Sequence, residues 1–103
     1  MQLMSAHVQL DPLFVADFCK RNRIRKLALF GSVLTDRFRP ESDIDMLVEF
    51  EDRARVGLFD LARMEIELTE KLGRKVDLRT PKDLSRYFRD EVVRGAEVQY
   101  SGE

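Results

Sequence analysis

The stretch ALFGSVLTDRFRPESDIDMLVEF, residues 28–50, places two aspartates within an apolar run. An apolar segment ends at Gly31-Ser32, ten residues follow, and Asp43-Ile44-Asp45 then begins a second apolar segment. Burying a carboxylate is costly unless a partner compensates for its lost hydration. The pattern therefore predicts that these two aspartates share a cation or another partner.

Apolar periodicity along the rest of the chain predicts an α/β fold. Alternation with a period of two indicates strands, and apolar residues three or four positions apart indicate helices. The predicted strands cover residues 24–30, 43–50, 75–79 and 97–100, and the predicted helices cover residues 12–21, 58–72 and 81–95. We therefore expect a small mixed β-sheet with helices packed on it.

The two aspartates suggest a site for Mg²⁺ and a phosphorylated substrate. Residues i and i+2 of a strand point the same way and lie about 6.6 Å apart, so Asp43 and Asp45 should form a pair. Two such carboxylates raise each other's pKa unless a cation lies between them. Mg²⁺ is bound by one or two carboxylates plus substrate phosphates, and paired ions serve displacement at phosphorus. Asp77, within the predicted strand KVDL, is the expected third carboxylate.

Gly31 and Ser32 are the expected phosphate-binding residues. Glycine allows the backbone to turn sharply and to approach a ligand closely. The serine hydroxyl and the amides that follow it can then bind a phosphate, especially where a short helical turn begins.

Each of these residues also has an ordinary structural interpretation. Asp43 and Asp45 are alternatively solvated acids on an exposed strand face, and Gly31-Ser32 is alternatively a simple turn. Asp77 is alternatively a surface acid beside Lys75 or Arg79.

The combined motif resembles the signature of the polymerase-β-like nucleotidyltransferase superfamily. The motif consists of GS at residues 31–32, ten intervening residues, DID at residues 43–45 and the later KVDL. The short chain and SDIDMLVEF are similar to the minimal nucleotidyltransferase (MNT) branch, over about residues 24–100. The resemblance implies a nucleotidyltransferase fold, ATP as substrate and two Mg²⁺ ions. It also implies that Asp43, Asp45 and Asp77 are catalytic, metal-binding carboxylates and that Gly31 and Ser32 bind the triphosphate.

The resemblance also implies a partner. Proteins of the MNT branch are commonly antitoxins encoded beside a HEPN-domain RNase toxin, and several transfer AMP from ATP to a toxin tyrosine. The residue after Gly-Ser is often Arg in this branch but is Val33 here, so that phosphate contact is either missing or supplied instead by Arg37 or Arg39. The expected function is adenylyl transfer to the toxin, and the alternative is a non-catalytic antitoxin that acts by binding alone. A small-molecule acceptor is a third alternative, which the short chain disfavours because it lacks the length for a separate acceptor domain.

Composition bounds the remaining possibilities. The 103 residues suffice for one domain with one core, so we expect a single domain over residues 1–103. The 18 basic and 19 acidic residues nearly cancel, which argues against direct nucleic-acid binding. The lone Cys19, the absence of a long apolar segment and the absence of a signal-peptide pattern predict a cytoplasmic protein without membrane contact. A homodimer and a hetero-oligomer with the toxin both remain open.

Overall fold

The computed structural model describes residues 3–4 and 8–102, which form a mixed sheet flanked by helices. The strands are β1 (Leu3–Met4), β2 (Gln9–Leu10), β3 (Ile24–Phe30), β4 (Ile44–Phe50), β5 (Val76–Arg79) and β6 (Glu97–Ser101). The helices are α1 (Pro12–Arg21), α2 (Leu58–Leu72) and α3 (Arg89–Gly95), with 3₁₀ turns at Gly31–Leu34 and Pro81–Asp83.

The main sheet has four strands in the order β5-β4-β3-β6. Strand β3 is antiparallel to both of its neighbours, whereas β4 and β5 are parallel. Parallel neighbours need a crossover connection, which α2 provides between β4 and β5. The prediction of an α/β fold with a small mixed sheet is confirmed. The short strands β1 and β2 pair separately.

The hydrophobic core lies on one face of this sheet. Alternate residues of β3, β4 and β5 point into the core, where they meet the apolar faces of α1 and α2. Its buried members include Val15, Phe18, Cys19, Leu27, Leu29, Ile44, Met46, Val48, Met64, Leu68, Val76 and Leu78. Because side chains alternate along a strand, the residues between these core positions project from the opposite face.

The ends of α1 and α2 follow from local chemistry. The Asp11 carboxylate caps α1 by accepting a hydrogen bond from the Leu13 N–H at 3.0 Å, and Pro12 occupies the first turn. Helix α2 ends at Gly73, which adopts the left-handed conformation with φ of 72°. Both helices have the predicted bounds. No helix within the described residues combines the length and apolar content that a membrane crossing requires.

The single helix predicted over residues 81–95 is wrong. Pro81–Asp83 forms only a 3₁₀ turn, Leu84 is extended with ψ of 148°, and α3 begins at Arg89. The Asp83 carboxylate accepts the Thr80 N–H at 3.0 Å and so closes a compact local cap. The Arg89 guanidinium donates to the Leu84 carbonyl at 3.0 Å, which holds the extended segment against the start of α3.

Candidate active site

The pairing of β4 with β5 brings the three predicted carboxylates together. Asp45 lies directly opposite Asp77 in the parallel register. Asp43 immediately precedes β4, and the next residue, Ile44, donates its N–H to the Lys75 carbonyl at 2.9 Å. The carboxylates of Asp45 and Asp77 share the sheet face that lies opposite the core, and Asp43 is at its edge.

Asp45 is the central carboxylate of this group. Burial raises the pKa of Asp45, and the nearby charges of Asp77 and then Asp43 raise it further, while Arg79 opposes them. The side chains of Asp43 and Asp77 are 44% and 24% exposed, so the group opens toward solvent on one side. Acids that interact in this way attract a cation.

A lysine ammonium lies between the two flanking carboxylates. Lys75 Nζ is 3.9 Å from Asp43 Oδ2 and 3.9 Å from Asp77 Oδ1. Asp77 is therefore beside Lys75, as the alternative interpretation of a surface acid required. It also faces Asp45, which that interpretation does not explain.

Gly31 packs directly against Asp45. Phe30 is the register partner of Asp45, and the chain turns at Gly31 with φ of 81°. A Cβ atom placed on Gly31 would lie 2.6 Å from Asp45 Oδ2. The two halves of the sequence motif therefore meet in space, since the glycine turn touches the second aspartate.

Ser32 and Val33 follow in the 3₁₀ turn at Gly31–Leu34. The Ser32 carbonyl accepts hydrogen bonds from the N–H and hydroxyl of Thr35. Within residues 8–102, the Ser32 hydroxyl itself makes no hydrogen bond and is available to a ligand. Val33 is fully buried in the core, so its side chain packs beneath the turn and is not available to a ligand. Arg37 and Arg39 are exposed in the loop that follows.

Arg74 is a site residue that sequence reasoning missed. Its guanidinium donates to the carbonyls of Arg39 and Ser42 and lies over the Phe38 ring, 4.2 Å from the ring centroid. Arg74 thus fixes the loop that leads into Asp43. No sequence pattern indicated this contact, because Arg74 and Ser42 are separated by a helix.

Two side chains of α2 hold the strand that carries Asp77. The Thr69 hydroxyl accepts the Val76 N–H at 3.0 Å, and the Glu65 carboxylate accepts the Leu78 N–H at 2.7 Å. Strand β5 is at the sheet edge, where backbone donors lack a neighbouring strand. These two hydrogen bonds satisfy donors on either side of Asp77 and so restrict its position.

The three carboxylates could bind a metal ion only together with ligands from a substrate or from water. No three acidic, histidine or cysteine side chains within residues 8–102 converge closely enough to hold a metal ion unaided. Mg²⁺ does not require such a cage, because it usually keeps water ligands and binds one or two carboxylates plus phosphate oxygens. The ammonium between Asp43 and Asp77 marks a position that attracts positive charge.

Comparison with known proteins matches this arrangement to a family. A family model described as "Nucleotidyltransferase domain" matches residues 13–98, which include every residue of the site described above. The chain belongs to this family. The predictions of the family, of its fold and of an enzyme are confirmed.

Individual relatives of this nucleotidyltransferase agree with the assignment. A Methanocaldococcus jannaschii protein, assigned by inference as a protein adenylyltransferase, is 33% identical over 76 residues, which are 74% of this chain and 80% of that protein. A solved structure assigned by inference as a minimal nucleotidyltransferase is 34% identical, with a TM-score of 0.68, covering 82% of this chain and 85% of that one.

A third match is a chain from the Shewanella oneidensis complex of a tri-AMPylated HEPN toxin with an MNT antitoxin. It has 21% identity and a TM-score of 0.62, and it covers 87% of this chain and 69% of that one. At this identity the match shows a shared fold.

Proposed function

We propose that this nucleotidyltransferase is an antitoxin that transfers AMP from ATP, with Mg²⁺, to a tyrosine hydroxyl of a HEPN-domain RNase toxin. The observation that carries the proposal is the contact of the Gly31 turn with Asp45, which lies opposite Asp77. A triphosphate held at that turn would lie beside the carboxylates. The adenylyltransferase relative and the AMPylated toxin in the Shewanella complex support AMP as the transferred group.

The proposed roles follow from the positions of the side chains. Asp43, Asp45 and Asp77 would hold Mg²⁺, and the Ser32 hydroxyl and the amides near Gly31 would bind the triphosphate. Bound Mg²⁺ would neutralise the phosphate charge and lower the pKa of the attacking hydroxyl. The tyrosine oxygen forms a bond to the α-phosphorus, the bond from that phosphorus to the pyrophosphate oxygen breaks, and pyrophosphate leaves. Asp77, on the separate strand β5, is the proposed acceptor of the tyrosine proton.

The acceptor should be delivered by another protein. Asp43 and Asp77 remain partly exposed, and a cleft beside Gly31 is lined by the apolar side chains of Phe30, Leu34 and Phe88. We propose that residues 1–103 act as a single domain. A rigid partner protein would orient the attacking hydroxyl, as efficient transfer requires. The exposed aromatic side chains of Tyr87 and Phe88, 85% and 50% exposed, are of the kind enriched at protein interfaces.

One observation favours the alternative of an antitoxin that acts by binding alone. Val33 is buried where the MNT branch often has an arginine, so that side chain is not available to the triphosphate. Arg37 and Arg39 are exposed nearby and are the candidates to replace it. The two functions differ in whether neutralisation of the toxin requires the carboxylates.

Asp77→Asn tests the proposed division of roles. We expect the variant to bind ATP almost as well as wild type, whereas transfer of label from α-labelled ATP to the toxin falls at least roughly 100-fold, a usual cost of losing a general base. Nucleotide affinity and the rate of label transfer are measured separately on the purified proteins.

Asp52→Asn is the control, because it removes an acid from the turn beyond the far end of β4. It should leave label transfer unchanged. A collapse of ATP affinity in Asp77→Asn, with normal turnover of the nucleotide that still binds, would contradict the role of Asp77 at the acceptor.

A further inference from the structure

Lys75 immediately precedes β5, and Asp77 and Arg79 follow it at alternate positions within the strand, so the three side chains lie on one face. Val76 and Leu78, between them, are buried in the core. The single acid of this strand therefore has a basic residue on each side. The two bases differ in position, because only Lys75 is within ion-pair distance of carboxylates of this site among the described residues.

The Lys75 ammonium is shared by carboxylates from two separate chain segments. It is 3.9 Å from an oxygen of Asp43, before β4, and 3.9 Å from an oxygen of Asp77, in β5. Those two acids also flank Asp45 in the electrostatic group. One positive charge placed between two negative charges reduces their mutual repulsion, as a metal ion at the same position would.

The ammonium can also leave this position readily. The Lys75 side chain is 69% exposed, and an exposed ion pair of this kind contributes little to stability. Lysine carries its charge on a flexible four-carbon stem, so the ammonium can move into solvent without displacing the backbone. The backbone of this segment stays fixed because the Lys75 carbonyl accepts the Ile44 N–H.

We propose that Lys75 is a built-in counter-ion that competes with the divalent cation for Asp43 and Asp77. The proposal rests on the assignment of those carboxylates as metal ligands under the proposed function. The free protein then binds a divalent ion weakly, and stable occupancy requires the phosphates of the nucleotide. This arrangement keeps the carboxylates compensated without a metal and couples metal uptake to nucleotide binding.

Titration with Mn²⁺ in the absence of nucleotide tests the proposal, with free Mn²⁺ measured by electron paramagnetic resonance. Lys75→Met should bind Mn²⁺ about three- to tenfold more tightly than wild type, since one charge at about 4 Å is worth about 1 kcal/mol in water. Lys75→Arg keeps the charge and should stay close to wild type. Lys20→Met is the matched control, because Lys20 is exposed on α1, which packs on the opposite face of the sheet.

Two outcomes would overturn the proposal. Affinity in Lys75→Met that equals the Lys20→Met value shows that the ammonium does not compete, and weaker binding shows that Lys75 assists the metal. Asp45→Asn separates these failures from a failure of the metal site itself. If Asp45→Asn weakens Mn²⁺ binding while Lys75→Met has no effect, only the counter-ion role is lost. If neither wild type, Lys75→Met nor Asp45→Asn binds Mn²⁺, the proposed metal site and the counter-ion role both fail.

Discussion

At the scale of single residues, position 31 has two requirements that only glycine, among the amino acids, satisfies together. Its φ of 81° lies in the left-handed region, and its missing side chain leaves room for the Asp45 carboxylate. Gly73 meets only the first requirement, because its φ is 72° but nothing lies within 4 Å of a Cβ placed there. Substitutions at Gly31 and Gly73 therefore separate the effect of backbone strain from the effect of crowding against Asp45.

Gly31→Ala and Gly73→Ala should have similar effects on stability and different effects on activity. Each should lower the free energy of unfolding by roughly 1–2 kcal/mol, the cost of a left-handed L-residue. Only Gly31→Ala should push the Asp45 carboxylate aside, and a shift of about 1 Å can reduce a rate on the order of 100-fold. Urea denaturation and label transfer measure the two effects, and equal activity in the two variants would contradict the contact.

Asp45→Asn should stabilise the metal-free protein at neutral pH. Burial and the charges of Asp77 and Asp43 raise the pKa of Asp45, so the folded state disfavours the ionised form. A group with a raised pKa contributes its full stability below the ordinary value of about 3.9 and loses it as the pH rises through the folded-state pKa. The gain from Asp45→Asn should therefore be largest at neutral pH and should shrink as the pH falls toward about 4.

Thermal unfolding in EDTA, from pH 7.5 downward, measures this dependence. Asp52→Asn controls for the loss of one negative charge at an exposed position. An Asp45→Asn variant that is less stable than wild type at pH 7.5 would show instead that the folded state favours the ionised form of Asp45.

At the scale of secondary-structure elements, strong periodicity decided what the sequence could predict. Strands β3 and β4 and helices α1 and α2 follow regular apolar patterns, and their observed bounds agree with the prediction to within one residue. The segment 81–95 carried a helical pattern that was overridden by local hydrogen bonds of Asp83 and Arg89. Such competition between a cap and a longer helix is not visible in apolar spacing alone.

Prediction of the candidate site was likewise limited to what local sequence patterns reveal. The motif predicted five site residues: Gly31, Ser32, Asp43, Asp45 and Asp77. The structure brings four of them together around Asp45, all except Ser32. The register of β4 with β5 places the acids, and the turn after β3 places Gly31. Their roles in catalysis remain predictions. The supporting contacts from Arg74, Thr69 and Glu65 join positions that are distant in sequence, so no local pattern could reveal them.

Arg74→Met should detach the loop that precedes β4. The guanidinium holds the carbonyls of Arg39 and Ser42, and losing hydrogen bonds from a charged donor costs about 1–3 kcal/mol. Label transfer should fall more than stability alone explains, because Asp43 follows this loop directly. Arg63→Met removes the surface ion pair with Asp60. It should change the free energy of unfolding by no more than about 1 kcal/mol and should leave label transfer unchanged.

Urea denaturation and label transfer under conditions where both variants are fully folded distinguish the two arginines. If Arg74→Met retains full transfer activity, the loop does not depend on this guanidinium for its position.

At the scale of the whole molecule, the sheet divides structural and chemical roles between its two faces. One face packs the core against α1 and α2, and the other carries the carboxylates and Lys75. The chemical face has partly exposed acids and the apolar cleft beside Gly31. Under the proposed function, this face would hold the nucleotide while a partner protein presents the attacking hydroxyl.

Transfer of AMP from this face to a partner toxin would change the mass of the toxin. Toxin co-expressed with wild type should carry AMP on tyrosine, and toxin co-expressed with the Asp43→Asn variant should carry none. Intact mass spectrometry followed by peptide mapping detects both states, with Asp52→Asn as the control that should retain modification. Toxin that is unmodified with wild type, and is still neutralised by Asp43→Asn, would contradict transfer and establish an antitoxin that acts by binding alone.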